Sequence, residues 1–277
     1  MRLKVDHVTR YFYDQPVRGV VQSHRLQPST FDGQQVLSWD VTVSDGQKGG
    51  TFRDGAGDRV QSWSVLGPVS EIAVHVTGEV ETTDLSGLLR GHRELTPPEA
   101  YLRDTMPTRV DAALAALGDG LDVAGNALGA AHDLSARVSD AIVYRPGTTD
   151  AKTTASEAMA LGEGVCQDQA HALIAVARHL GIPARYVSGY LHMSGDVVTE
   201  EAAHAWAELH IAGLGWVGFD PANRCCPDAR YIRLGLGLDA QGAAPIRGTA
   251  RGLGRESLEV TVSITAPQAS QQQSQSQ

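Results

Sequence analysis

Three cysteines in 277 residues, with one adjacent pair, do not make a disulfide framework. There is no Cys-x-x-Cys and no His/Cys spacing of the structural-zinc type, so no metal is expected. The first residues, Met1 to His7, lack the apolar stretch of a signal peptide. No segment approaches 18 continuous apolar residues, so no membrane span is expected. Basic residues never run longer than two. With Lys+Arg 23 against Asp+Glu 32 and a net charge of −9, the chain is a poor candidate for binding a phosphate backbone. These absences point to a soluble chain in a reducing, cytoplasmic setting, where a free thiol survives. No nucleic acid and no membrane are expected among its partners. The 42% hydrophobic content is enough for a real core, and 20% charged residues argue against global disorder.

The most informative stretch is Gly162 to Ile174. A Gly-flanked loop delivers Cys166 to the start of a helical pattern in which Leu173, Ala177 and Leu180 recur on one face. Unpaired N–H groups and the positive end of the macrodipole favour a thiolate there. Helix N-termini and a nearby imidazolium bring a thiol from about 8.5 into roughly the 3.5–7.5 range. A thiolate nucleophile needs a proton partner, and that partner needs an orienting group. Downstream, His204 opens an alternating, strand-like run. A second short run from Gly215 ends in Asp220. Cysteine on a helix start, histidine on one strand and aspartate after the next make a nucleophile–base–orienter set.

The blocks GVCQDQAH (164–171), GIPARYVSGYL (181–191), HAWAEL (204–209) and GWVGFDPAN (215–223) resemble the bacterial transglutaminase-like superfamily, in the family's order and spacing. Weaker likeness extends to YFYDQPV (11–17), HRLQP (24–28) and APIRG (244–248). The resemblance implies a papain-like core with Cys166 as nucleophile, His204 as general base and Asp220 as orienter. The chain departs at Ala222, where the family has Thr, and at Leu238, Ala240 and Gly242. No EF-hand-type loop is present, so no Ca²⁺ requirement and no other cofactor is expected. The implied activity is a thiol-dependent amide-bond enzyme that forms an acyl-enzyme on Cys166, acting as a cysteine protease or amidase on a peptide or protein. Acyl transfer to an amine, as in a protein-glutamine transglutaminase, uses the same acylating residues. A non-catalytic peptide-binding module on the same fold is a third reading.

Around this set, Gln167 is a candidate second oxyanion donor. Trp206 is a candidate for shielding the imidazole or lining the cleft. His171 lies over a full turn beyond Cys166 and reads as packing. Asp168 reads as a first-turn helix stabiliser, and Cys225 and Cys226 as loop residues. The expected fold class is α+β, with the nucleophile helix packed on an antiparallel sheet and an N-terminal β-sandwich-like module. The module spans residues 1–85, read as several short strands between turn signals. A connector and helix cover 86–130, and the catalytic core with C-terminal strands covers 131–265. A disordered Gln/Ser-rich tail occupies 266–277. Thr154 should cap a short helix ending at Gly162. Composition leaves oligomeric state open.

Overall fold

The computed structural model describes residues 1–193 and 203–266. In chain order the elements are β1 (Arg2–His24), β2 (Gln34–Val43), β3 (Gly46–Arg53), β4 (Arg59–Thr82), a 3-10 turn (Pro98–Leu102), α1 (Ala112–Ala116), α2 (Ala127–Ala141), β5 (Val143–Tyr144), α3 (Ala155–Leu161), β6 (Glu163–Gly164), α4 (Cys166–His179), β7 (Ala184–Leu191), β8 (Ala203–Ile211), β9 (Gly215–Phe219), β10 (Tyr231–Gly237), β11 (Ile246–Ala250) and β12 (Glu256–Thr265). The expected turn at 194–196 and the expected tail beyond Ala266 lie outside the described residues.

Two long strands replace the several short ones expected at the N-terminus. β1 and β4 pair antiparallel along most of their length, with a register break between Phe12 and Val17, where Pro16 has no N–H to donate. On either side of the break the sheet has different outer strands. β2 and β12 flank one half, and β3 and β11 flank the other. Inward residues of both halves, among them Tyr11, Val74 and Val76 from one and Val20, Trp63 and Val65 from the other, meet in one cluster. The sandwich-like character thus comes from one sheet folded on itself.

The C-terminal strands join the first sheet. Residues 246–250 and 256–265, expected with the catalytic core, both pair with β1. β1 otherwise presents an open edge, and β12 closes it over ten residues, from Lys4↔Thr265 to Tyr13↔Glu256. Val262 faces inward beside Leu3, Val5 and Val80. These four meet Tyr190, Ile232 and Leu234 of the second sheet in a common cluster, which joins the two halves of the molecule. Each such side chain contributes on the order of 1.5–3 kcal/mol by leaving water.

The second sheet is antiparallel with order β10-β7-β8-β9. Ala205, Ala207 and Leu209 form one face of β8 and pack on Ala170, Leu173, Ile174 and Ala177 of α4. Every residue of α4 from Asp168 to Arg178 is buried, because α2 and α3 cover its other side. The sequence suggested one inward face, whereas the helix is surrounded. The mixed helix and antiparallel-sheet fold is the α+β class expected. Among the described residues, no helix is long and apolar enough to cross a membrane.

Candidate active site

The loop that presents Cys166 is fixed from both ends. Thr154 caps α3 in a reciprocal box with Glu157, as the Thr-x-x-Glu spacing predicts. Gly162 ends α3 at φ 72°, a left-handed conformation that favours glycine. The next two residues pair in parallel with β5, so Cys166 enters α4 as its first residue. Asp168 holds the turn: its Oδ2 accepts from the Val165 N–H at 2.8 Å and from the Thr149 hydroxyl at 2.6 Å. Burial lifts the Asp168 carboxyl above its ordinary value against those two hydrogen bonds.

Cys166 is half-buried, packed against the main apolar cluster with part of its surface open to solvent. Its sulfur is close enough to the His204 ring to raise the ring's pKa. The ring's Nε2 lies 2.6 Å from Asp220 Oδ2, which leaves Nδ1 as the nitrogen for the sulfur. Burial pulls the His204 pKa down, but hydrogen bonds to Asp220 and Cys166, and their charges, outweigh it and hold it at about 10 against an ordinary 6.5. These contacts favour the protonated ring. Asp220 is fully buried. Burial would raise its carboxyl, but His204, Asn223 and Tyr231 hold it below the usual range.

Two residues that sequence reasoning did not single out complete this arrangement. Asn223 Nδ2 and the Tyr231 hydroxyl both donate to Asp220 Oδ2, each at 2.7 Å. Asn223 sits in the same block as Asp220, so a side-chain amide three residues past the carboxylate was a usable signal. Tyr231 comes from β10 and had no local signal. Trp206 is buried and stacks on the imidazole, with ring centroids 6.4 Å apart and planes 25° apart. That approach needs Gly189 on the neighbouring strand, since a Cβ there would come within 2.6 Å of the Trp206 ring. Gln167 lines a cleft with His171 and Tyr186. Cys225 Sγ lies 3.4 Å from the Tyr231 hydroxyl, and burial raises the Cys225 thiol pKa.

Replacing Tyr231 with Phe removes one donor to an ionised, buried carboxylate, a contact worth about 1.5–3 kcal/mol. The expected result is a fall in kcat of about tenfold or more with KM little changed, read by steady-state kinetics. An unchanged kcat would show that Asp220 is held well enough without it.

Residues 116–221 match the model of the transglutaminase-like superfamily. Residues 3–81 match the bacterial transglutaminase-like N-terminal region. An uncharacterized protein of Mycobacterium leprae is 30% identical over 276 residues, covering 95% of this chain and 98% of that one. The chain belongs to the transglutaminase-like superfamily. A protein-glutamine gamma-glutamyltransferase of Pseudomonas aeruginosa is 37% identical over 82 residues, 27% of this chain and 12% of that protein. A candidate cysteine protease from Cytophaga hutchinsonii shares the fold at a TM-score of 0.73 and 20% identity, covering 96% of this chain and 90% of that chain.

Proposed function

We propose that the protein is a thiol-dependent amide-bond enzyme that forms an acyl-enzyme on Cys166 and hydrolyses it. The observation that carries this reading is the His204 ring, held at 2.6 Å by Asp220 and close enough to Cys166 for the sulfur to raise its pKa. Cys166 Sγ attacks the amide carbonyl carbon, and the first-turn N–H groups of α4 face the developing oxyanion. The imidazolium gives its proton to the leaving nitrogen as the C–N bond breaks. The neutral ring then takes a proton from water, whose oxygen attacks the thioester and frees a carboxylate. Asp220 keeps the ring oriented and stabilises its charge, with Tyr231 and Asn223 as positioning residues for Asp220. The substrate is a peptide or protein, and the setting is cytoplasmic, where three unpaired cysteines stay reduced.

Because the leaving nitrogen takes its proton from the imidazolium, amide turnover should fall as pH rises through about 10, the value at which His204 loses that proton. Iodoacetamide labelling mapped by mass spectrometry across pH tests the nucleophile. Preferential labelling of Cys225 or Cys226 over Cys166 would sink the proposal.

Local likeness to a gamma-glutamyltransferase favours a second outcome at the same thioester, attack by an amine in place of water. Water needs no site of its own, whereas transfer needs a bound amine that excludes water, so hydrolysis is the first reading. Added primary amine separates the two: an amide product in place of free acid would establish transfer.

A further inference from the structure

His171 follows Gln167 by four positions on α4, so the two side chains share a helix face. His171 is buried, and its Nε2 lies 3.0 Å from the Ala240 N–H. A backbone N–H only donates, so Nε2 must accept and the ring hydrogen sits on Nδ1. The ring stays neutral at physiological pH. Burial outweighs the pull of Asp239 and, with Arg178, leaves its pKa at about 4. Nδ1–H is therefore a fixed donor, and it has no partner among the described residues. Gln167 Nε2 is buried without a partner in the same way. Buried donors are normally satisfied, so two orphans on one helix face call for an acceptor that arrives from outside the chain.

Both residues line a cleft of about 620 Å³. Its walls are mainly apolar, from Met106, Pro107, Ala240 and Pro245, and Tyr186 closes one side. The Tyr186 ring lies 5.1 Å from the His171 ring, and Gln167, the residue after Cys166, lines the same cleft, so the cleft lies beside the start of α4. Lys152 is the one charged residue lining it among those described, and it is exposed. Neutral donors in an apolar wall suit a neutral acceptor; a carboxylate buried there would lose its hydration without gaining a buried cation.

We propose that this cleft is the subsite for the acyl side of the substrate, and that it takes a peptide residue with an apolar body whose amide carbonyl oxygen accepts a hydrogen bond from His171 Nδ1, with the Gln167 amide as a second polar contact. The inference rests on Cys166 acting as the acylated nucleophile.

Two chloromethyl ketones test it: N-acetyl-leucyl chloromethyl ketone, and its analogue with a propyl group in place of the acetamido group. In each, the thiolate displaces chloride and a C–S bond replaces the C–Cl bond. The ratio of the two alkylation rates within one protein cancels the reactivity of the thiol itself. The expected ratio is about tenfold in favour of the acetyl compound. It should fall to about one in His171→Gln, whose side-chain oxygen can still accept the Ala240 N–H but which offers no donor at the Nδ1 position. It should persist in His171→Asn, which keeps that donor. Equal rates in the unmodified protein, or a ratio untouched by His171→Gln, would overturn the inference. So would faster reaction of an N-succinyl-leucyl reagent that depends on Lys152. Should neither reagent modify Cys166, the enzyme reading beneath fails. The contact is then read without chemistry, from the His171 Nδ1 ¹⁵N resonance of Cys166→Ala protein titrated with N-acetyl-leucinamide. A downfield shift supports the contact and a static resonance removes it.

Discussion

Cys166→Ala is expected to lower amide turnover by on the order of 10⁴-fold or more while leaving the thermal midpoint close to that of the unmodified protein. The side chain is half-buried at the first position of α4, so its loss opens little cavity and breaks no cap, because Asp168 holds the turn. His204→Ala should lose a similar factor. The informative measurement is the double variant. Sulfur and imidazolium act as a unit, so the pair should be about as slow as either single variant, and not the product of the two losses. Asp220→Asn should retain more rate. All three donors, from His204, Asn223 and Tyr231, converge on Oδ2, and a side-chain amide oxygen could occupy that place. The amide nitrogen would then face the Asn223 N–H, now 3.3 Å from Oδ1, where two donors repel. Orientation is partly kept and the charge is lost. If losses in the double variant multiply, the two residues do not share a step and the mechanism is wrong.

The grouping of the candidate site was legible because each of its three members sits in a locally distinctive setting. Cys166 lies at a Gly-rich helix entry, His204 opens an alternating strand, and Asp220 stands between Phe219 and Pro221. The Thr154 cap and the Gly162 stop were legible for the same reason, since capping is a matter of a few neighbouring residues. What supports Asp220 was not. Tyr231 begins β10, whose sequence Leu234-Gly235-Leu236-Gly237 has glycine where a strand is usually read from branched side chains. Gly237 answers to tertiary packing: a Cβ there would lie 2.3 Å from the Gly242 carbonyl carbon. The pairing of β12 with β1 joins residues some 250 positions apart, and no local pattern encodes a partner at that distance. The donor state of His171 depends on the Ala240 N–H across the fold, so the sequence could show only a histidine on a helix.

Glu208→Ala is expected to destabilise the protein by about 3–5 kcal/mol and to lower Tm by roughly 10 °C. Glu208 stands four residues after His204 on β8, on the same face. It accepts from Arg185 Nε at 2.7 Å and from Arg233 Nε at 2.7 Å. Both guanidiniums are buried, Arg185 lies 3.8 Å over the Trp216 ring, and neither can shed its charge. Arg185 also pairs with Glu94, and Arg233 donates to Ser29 Oγ at 2.6 Å, so the cluster ties β7, β8 and β10 to the N-terminal half. Removing the shared carboxylate leaves two cations facing each other out of water, which costs more than the pair itself contributes. The pH dependence carries the same signature. Burial pushes the Glu208 carboxyl up, but Arg233 and Arg185 prevail and hold it at about 2, below its ordinary 4.5. Its contribution is therefore complete above about pH 4.5 and is lost as pH falls toward 2. Asp58 runs the other way: burial outweighs Arg233 and lifts it from 3.8 to about 6, so it subtracts stability as pH rises between those values. Thermal melts from pH 2 to 7 should show the acid loss in the unmodified protein and a flatter curve in Glu208→Gln. A Glu208→Ala midpoint within about 2 °C of the unmodified protein would mean that water reaches these guanidiniums, and that the cluster does not brace the strand that carries His204.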